Sequence, residues 1–107
     1  MASIALPENE AWVGPAWVLR SIARRLQTCG NFPSLAKQFE AIDEGWQHLG
    51  LRKLDAAERA ELRRVAPLML EEVRKAGPSI LPEQEFYPVF VAAFEEFERL
   101  VRLLVIC

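Results

Sequence analysis

One apolar pattern in the middle of the chain constrains the fold more than any other feature of the sequence. Between Pro33 and Gly50, apolar residues recur at spacings of four, three, four and three: Leu35, Phe39, Ile42, Trp46 and Leu49. At about 100° per residue, these five side chains fall within one narrow arc of an α-helix. The pattern predicts a second helix that begins at Pro33, ends at Gly50 and buries all five side chains.

Proline and glycine divide the rest of the chain into three further predicted helices. Proline suits the first turn of a helix, where its missing N–H would be unpaired anyway, and glycine is favoured just after the last turn. The predicted first helix begins at Pro15 and ends near Cys29, the third follows Asp55 and ends before Gly77, and the fourth runs from Pro82 towards Ile106.

The third predicted helix carries two local signals. Asp55 followed by Glu58 is typical of a helix N-terminus, because an aspartate side chain accepts hydrogen bonds from the first free N–H groups. Pro67 lies in the middle of the same helix and has no N–H to donate to the carbonyl of Arg63. We therefore expect helix three to be kinked at Pro67.

These elements predict an all-α fold, a four-helix up-down-up-down antiparallel bundle. Short connections make sequential helices antiparallel neighbours. The 107 residues, of which 51% are apolar and 26% charged, suit a single globular domain over 1–107. Residues 1–13 show no period and are expected to form an N-terminal arm.

Charge and cysteine content narrow the classes of partner and location. The chain has 13 basic and 15 acidic residues, a net charge of −2, which argues against a nucleic-acid partner. Residues 78–107 hold two basic and five acidic residues and predict an acidic surface.

No apolar run is long enough for a membrane span, and the N-terminus has no secretion signal pattern. Cys29 and Cys107 form no CxxC pair, so we expect a cytoplasmic protein with reduced thiols, although a Cys29–Cys107 bridge in an oxidising compartment is the alternative.

The sequence contains no pattern of catalysis, cofactor binding or metal binding. His48 is the single histidine, and Glu44 lies four residues before it, a spacing that metal ligands on one helix face use. On the predicted helix this pair points outward, however, and no second pair accompanies it. The serines have only His48 as a histidine base, and no glycine-rich phosphate loop is present. We therefore predict a protein that is not an enzyme and needs no cofactor or metal.

Two predicted surfaces are available to a partner protein. On helix one, Trp17, Arg20 and Arg24 lie on the side opposite the apolar stripe, and tryptophan and arginine are enriched at binding hot spots. The alternative is that the N-terminal arm folds back and covers Trp17.

The second surface lies on helix four, whose apolar face is wider than a bundle requires. Its polar side carries Glu95, Glu98, Arg99 and Arg102. A wide apolar face beside charged residues suits a partner or a second copy of the chain, and the alternative is a central helix that is buried on several sides.

These surfaces lead to three functional hypotheses. The first is a protein-binding module, in its sharpest form an inhibitor or immunity protein that neutralises a bacterial toxin with a basic face, because opposite charges speed encounter. The second is a homodimeric structural or assembly subunit built on helix four. The third is a helix-turn-helix-like DNA-binding regulator that would read DNA with Arg59, Arg63 and Arg64.

Overall fold

A small mixed sheet lies against the helices and is built mostly from the N-terminal residues. The computed structural model describes residues 1–7 and 10–104. Within them the strands are β1 (Ala2–Ala5), β2 (Ala11–Gly14) and β3 (His48–Gly50). The helices are α1 (Ala16–Cys29), α2 (Ala36–Asp43), α3 (Ala56–Ala76) and α4 (Tyr87–Arg102). The prediction of an all-α four-helix bundle is therefore wrong, since the fold is mixed α/β.

Strand β1 occupies the centre of the sheet, whose order is β2-β1-β3. It runs antiparallel to β2 and parallel to β3, and this register places Ile4 opposite both Trp12 and Leu49. All three side chains are buried against the helices. The sheet thus contributes one full layer of the core.

Strands β1 and β2 pair as an antiparallel hairpin where an N-terminal arm was expected, because the burial of residues 2–6 has a period of two, the period of a strand. Ala2, Ile4 and Leu6 are buried, while Ser3 and Ala5 between them are half-buried. The alternation spans few residues and includes alanines, so its contrast in hydrophobicity is weak. This is why the sequence pattern did not reveal the strand.

Trp12 connects the hairpin of β1 and β2 to helix α4. Its indole Nε1 donates a hydrogen bond of 3.1 Å to the backbone oxygen of Ala93 in α4. The ring also lies over Gly14, where an added Cβ would come within 2.7 Å of it. Glycine at position 14 therefore lets the tryptophan ring lie flat along strand β2.

Helix α2 is much shorter than predicted. It ends at Asp43, and Gly45 then adopts a φ of 110°, a conformation that favours glycine. Phe39 and Ile42 are buried as predicted. Trp46, however, lies beyond the helix end and is 59% exposed, so its predicted burial is wrong. Leu49 is buried, but it reaches the core from strand β3.

Helix α3 begins as predicted. The Oδ1 atom of Asp55 accepts a hydrogen bond of 2.8 Å from the backbone N–H of Glu58, which confirms the N-terminal cap. The helix then continues through Pro67 as one element to Ala76. The helix is thus continuous across Pro67, and the kink expected there stays a prediction.

The connection between α3 and α4 contains two short 3₁₀ turns, Pro78–Ile80 and Gln84–Phe86. As a result, α4 starts at Tyr87, later than the predicted start at Pro82. The end of the predicted helix, Val105 and Ile106, lies outside the described residues. So does Cys107, and with it the alternative bridge from Cys29 to Cys107.

The side chain of Gln38 covers part of the outer edge of strand β3. Its Oε1 accepts a hydrogen bond of 2.6 Å from the N–H of Gly50, and its Nε2 donates one of 3.0 Å to the oxygen of the same residue. The amide therefore pairs with Gly50 as the backbone of a neighbouring strand would.

None of the helices in 1–7 and 10–104 combines the length and the apolar character that crossing a bilayer requires.

Candidate functional site

An open apolar groove lies where the first turn of α1 meets the connection between α3 and α4. It has a volume of about 320 Å³. Its lining residues are Trp17, Leu81, Pro82, Glu83 and Phe86, which we call the aromatic groove. Trp17 was predicted as a site residue. Pro82, Glu83 and Phe86 lie in the stretch predicted as the start of helix four, and Leu81 lies just before that stretch.

Trp17 forms one wall of the aromatic groove and is held in place from behind. Its ring stacks on Phe90 of α4, with centroids 5.7 Å apart and planes at 10°, and Phe86 lies 6.5 Å away at 57°. The side chain is still 39% exposed. Of the two alternatives for Trp17, neither holds fully, since the ring is partly covered by Phe90 and Phe86 and partly exposed.

The contacts between aromatic rings continue from Trp17 into the core and hold the wall of the groove in place. Phe90 packs against Phe94 with centroids 4.9 Å apart, and the guanidinium of Arg25 lies 5.9 Å from the centroid of Phe94. Phe90 and Phe94 are both buried. The wall of the groove is therefore continuous with the packed interior and presents Trp17 in a defined orientation.

The two predicted arginines of helix one lie in different surroundings. Arg20 is exposed, one turn along α1 from Trp17. Arg24 is directed towards α2, because its Nε lies 3.8 Å from Oδ1 of Asp43. The structure therefore separates Arg24 from the aromatic groove.

The charged residues predicted on helix four are arranged in ion pairs. Glu95 pairs with Arg74 of α3 at 2.9 Å, and Glu98 pairs with Arg102 at 2.8 Å. Arg99 binds Glu96 at 2.6 Å.

These ion pairs change what the surface of α4 offers to a charged partner. The hydrogen bonds from Arg99 hold the pKa of Glu96 below its ordinary value. Each of the three carboxylates of α4 is thus balanced by an arginine, and the surface is close to neutral rather than uniformly acidic.

A second, more polar groove lies beside strand β3, with a volume of about 420 Å³. Its lining residues are Met1, Ser3, Gly45, Trp46, Gln47 and His48. The parallel register of β1 and β3 sets Ser3 opposite His48, and Ser3 Oγ lies 2.9 Å from His48 Nδ1. Sequence reasoning missed this contact because the two residues are 45 positions apart.

The contact between Ser3 and His48 lacks the remaining parts of a hydrolytic site. A serine nucleophile needs a histidine that a third group holds in orientation. In the part of the chain that the structure describes, no carboxylate is hydrogen-bonded to His48, and the imidazole is exposed. The contact between Ser3 and His48 is therefore explained by the pairing of strands β1 and β3.

The predicted alignment of Glu44 with His48 on one helix face does not occur. Glu44 follows the last residue of α2, and His48 begins strand β3. Within 1–7 and 10–104, no three His, Cys, Asp or Glu side chains cluster closely enough to hold a metal ion.

The arrangement required for a helix-turn-helix is also absent from the described residues between Ala36 and Ala76. A loop and strand β3 separate α2 from α3. Arg59 donates to the backbone oxygen of Leu54, and Arg64 binds Glu61. The geometric basis of the DNA-binding hypothesis is therefore lost.

No protein-family model matches this chain, and no curated protein or solved structure shows significant similarity to it. The functional argument therefore depends on the geometry of the aromatic groove.

Proposed function

We propose that this chain is a non-catalytic protein-binding module and that the aromatic groove is its binding site. The observation that supports the proposal is the state of Trp17, which is held by Phe90 yet remains 39% exposed. A large aromatic side chain left partly in water at the wall of a groove has apolar area still to bury.

The physical argument concerns the cost of binding. Tryptophan is among the residues that contribute most to protein interfaces. Ordering a free side chain on binding costs about 0.5–1.5 kcal/mol, and the stacking on Phe90 has already met that cost for Trp17. Phe86 and Leu81 supply further apolar area, and Glu83 offers a hydrogen-bond acceptor at the same groove. The groove suits apolar side chains of a partner protein.

Within this class, an inhibitor or immunity protein that binds and neutralises a bacterial toxin remains our preferred role, with the cytoplasm as its location. Its support is the small size of the domain, the net charge of −2 and the preformed groove. Because the carboxylates of α4 are paired with arginines, we assign recognition to the aromatic groove rather than to an acidic surface.

Capture of the partner from the host organism tests the binding site. Tagged wild-type protein and a Trp46→Ala variant, which changes an exposed aromatic side chain outside the groove, should recover the same stoichiometric partner. Phe86→Ala should recover much less of it, because Phe86 is 45% exposed and lines the groove. Thermal melts of the three proteins control for folding. Equal recovery by Phe86→Ala would show that the groove is not the site.

A second experiment tests the inhibitor role separately. The purified partner is assayed for its activity with and without this protein. Wild-type protein should silence that activity in proportion to its concentration, and Phe86→Ala should not. A partner that binds through the groove but keeps its full activity would refute inhibition and leave the binding module intact.

A further inference from the structure

The outward side of α4 carries a stripe that the core does not use. Five residues at spacings of three, four, three and four form it: Val89, Ala92, Glu96, Arg99 and Leu103. At about 100° per residue they fall within an arc of about 80°. All five are exposed, with Val89 at 52% and Leu103 at 55%. We call these residues the outer stripe of α4.

The spacing of the outer stripe is that of a helix-to-helix seam. Alternation of three and four residues keeps one line of side chains facing a partner helix. The opposite side of α4 is already occupied, since Phe90, Phe94 and Phe97 are buried in the core. The outer stripe is thus a second packing face on the same helix.

The charges within the stripe determine which partner and which orientation it accepts. A parallel second copy would set Glu96 against Glu96 and Arg99 against Arg99, and like charges in contact repel. An antiparallel copy, related by a twofold axis between residues 97 and 98, sets Glu96 against Arg99 in both directions. The same axis sets the small Ala92 against the large Leu103.

We propose that the outer stripe of α4 pairs with the outer stripe of a second copy of this chain, antiparallel and about a twofold axis. Glu96 and Arg99 already form an ion pair within one chain. In the dimer the two pairs join into one network of alternating charge.

The expected contact is short, and this sets the strength of the dimer. With the axis between residues 97 and 98, the paired stretch runs from Ala92 to Leu103, the residue that follows α4, and the chain rises about 16 Å over it. Such an interface is small compared with those of permanent dimers, so we expect self-association that depends on protein concentration. It does not involve the aromatic groove, and its outcome is independent of the proposed function.

Sedimentation velocity over a range of concentrations tests the pairing by charge exchange. Glu96→Arg alone or Arg99→Glu alone should raise the dissociation constant at least about tenfold, because each sets like charges against each other. The double variant Glu96→Arg/Arg99→Glu should restore the wild-type dissociation constant, because opposite charges again face each other across the dimer. The control is Glu71→Arg/Lys75→Glu, which exchanges an exposed ion pair on α3. A wild-type protein that stays monomeric, or a folded double variant that does not recover, overturns the proposal.

Disulfide trapping tests the orientation. In a chain whose native cysteines are replaced by serine, Ala92→Cys and Leu103→Cys are introduced singly and together. Within one helix these positions are about 16 Å apart, beyond the reach of a disulfide. Only the double variant should oxidise to a covalent dimer. A covalent dimer of either single variant would indicate a parallel pair and would overturn the antiparallel arrangement. The absence of any covalent dimer from the double variant would also overturn it.

Discussion

Trp17 faces two environments, and each has a measurable consequence. One face of its indole stacks on Phe90, while the remainder is open to solvent in the aromatic groove. Trp17→Ala removes a stacked aromatic pair, which is worth about 0.5–1.5 kcal/mol beyond the area that it buries. Urea denaturation should show a modest loss in the free energy of unfolding, and Trp17→Phe should recover part of it. A loss as large as that of a core residue would show that Trp17 serves folding instead of binding.

Phe39 and Trp46 allow a direct comparison of two aromatic residues that share one predicted stripe. Phe39 is 4% exposed, whereas Trp46 is 59% exposed. Phe39→Ala should lower the free energy of unfolding by about 3–5 kcal/mol, because it leaves a cavity in the core. Trp46→Ala should change it by no more than about 0.5 kcal/mol, the usual range for surface substitutions. Equal losses in urea denaturation would contradict the end of α2 at Asp43.

At the scale of elements, the start of α3 is joined to the start of α2 by a buried carboxylate. Glu58 is almost fully buried, and its carboxylate accepts hydrogen bonds from the N–H of Ser34 at 3.1 Å and from Ser34 Oγ at 2.7 Å. The backbone of Glu58 thus binds the Asp55 cap, while its side chain joins α3 to the 3₁₀ turn Pro33–Leu35 that precedes α2.

Removing this carboxylate should weaken the junction of α2 and α3. We expect Glu58→Ala to lower the free energy of unfolding by about 1–3 kcal/mol, the cost of leaving partly buried donors unpaired. Glu58→Gln keeps an acceptor oxygen and should cost less. Denaturation of both variants, with Ser34→Ala as the partner in a double-mutant cycle, measures the coupling. Zero coupling would contradict the junction.

A second contact of α3 predicts a dependence on pH. Hydrogen bonds from Arg64 and from the backbone N–H of Asn31 hold the pKa of Glu61 below its ordinary value of 4.5. Because the folded-state pKa is depressed, the contribution of Glu61 to stability is complete above the ordinary pKa and is lost as the pH falls through the folded value.

The variant Glu61→Gln therefore should differ most from the wild type at neutral pH. In acid, where Glu61 itself is protonated, the two melting temperatures should converge. Glu71→Gln is the matched control, since the Glu71–Lys75 pair is fully on the surface and should contribute little at any pH. A difference between wild type and Glu61→Gln that is constant across pH would contradict the assigned hydrogen bonds.

The sequence predicted some elements well and others poorly, for a physical reason. Helices α1 and α3 lie close to their predicted bounds because a long amphipathic period and a clear cap or proline are local signals. Strand β3 could not be predicted in the same way, because its partner lies 45 residues away. Its Leu49 also happens to continue the period of α2, and Gly45 was the local sign that the helix had ended.

The residues of the candidate site were likewise predictable from local patterns in part and unpredictable where distant segments meet. Trp17 was identifiable from its position on one helix, opposite the apolar stripe. Phe90, which stacks on it, looked like an ordinary core residue of helix four, and Phe86 was assigned to the same helix, while Leu81 was left in the connection before it. The groove exists only because the connection between α3 and α4 folds into 3₁₀ turns, for which the sequence pattern offers no clear period.

For the whole molecule, the N-terminal hairpin is expected to be essential to cooperative folding. Ile4, Leu6 and Trp12 are all buried, and β1 is the central strand. Deleting residues 1–14 should abolish a cooperative thermal transition and increase binding of an apolar dye, because the core loses one layer. Val13→Thr, on the exposed side of β2, should keep both properties of the wild type. A truncated protein that still melts cooperatively would show that the helices fold without strands β1 and β2.

Gln38 has a consequence for how these molecules behave in crowded solution. An edge strand with free N–H and C=O groups is a template on which the backbone of another molecule can add, strand after strand, towards fibrils. The Gln38 amide occupies both groups of Gly50, so an incoming backbone must first displace two intact hydrogen bonds. The Gln38 side chain therefore hinders the addition of a fourth strand at this part of the β3 edge.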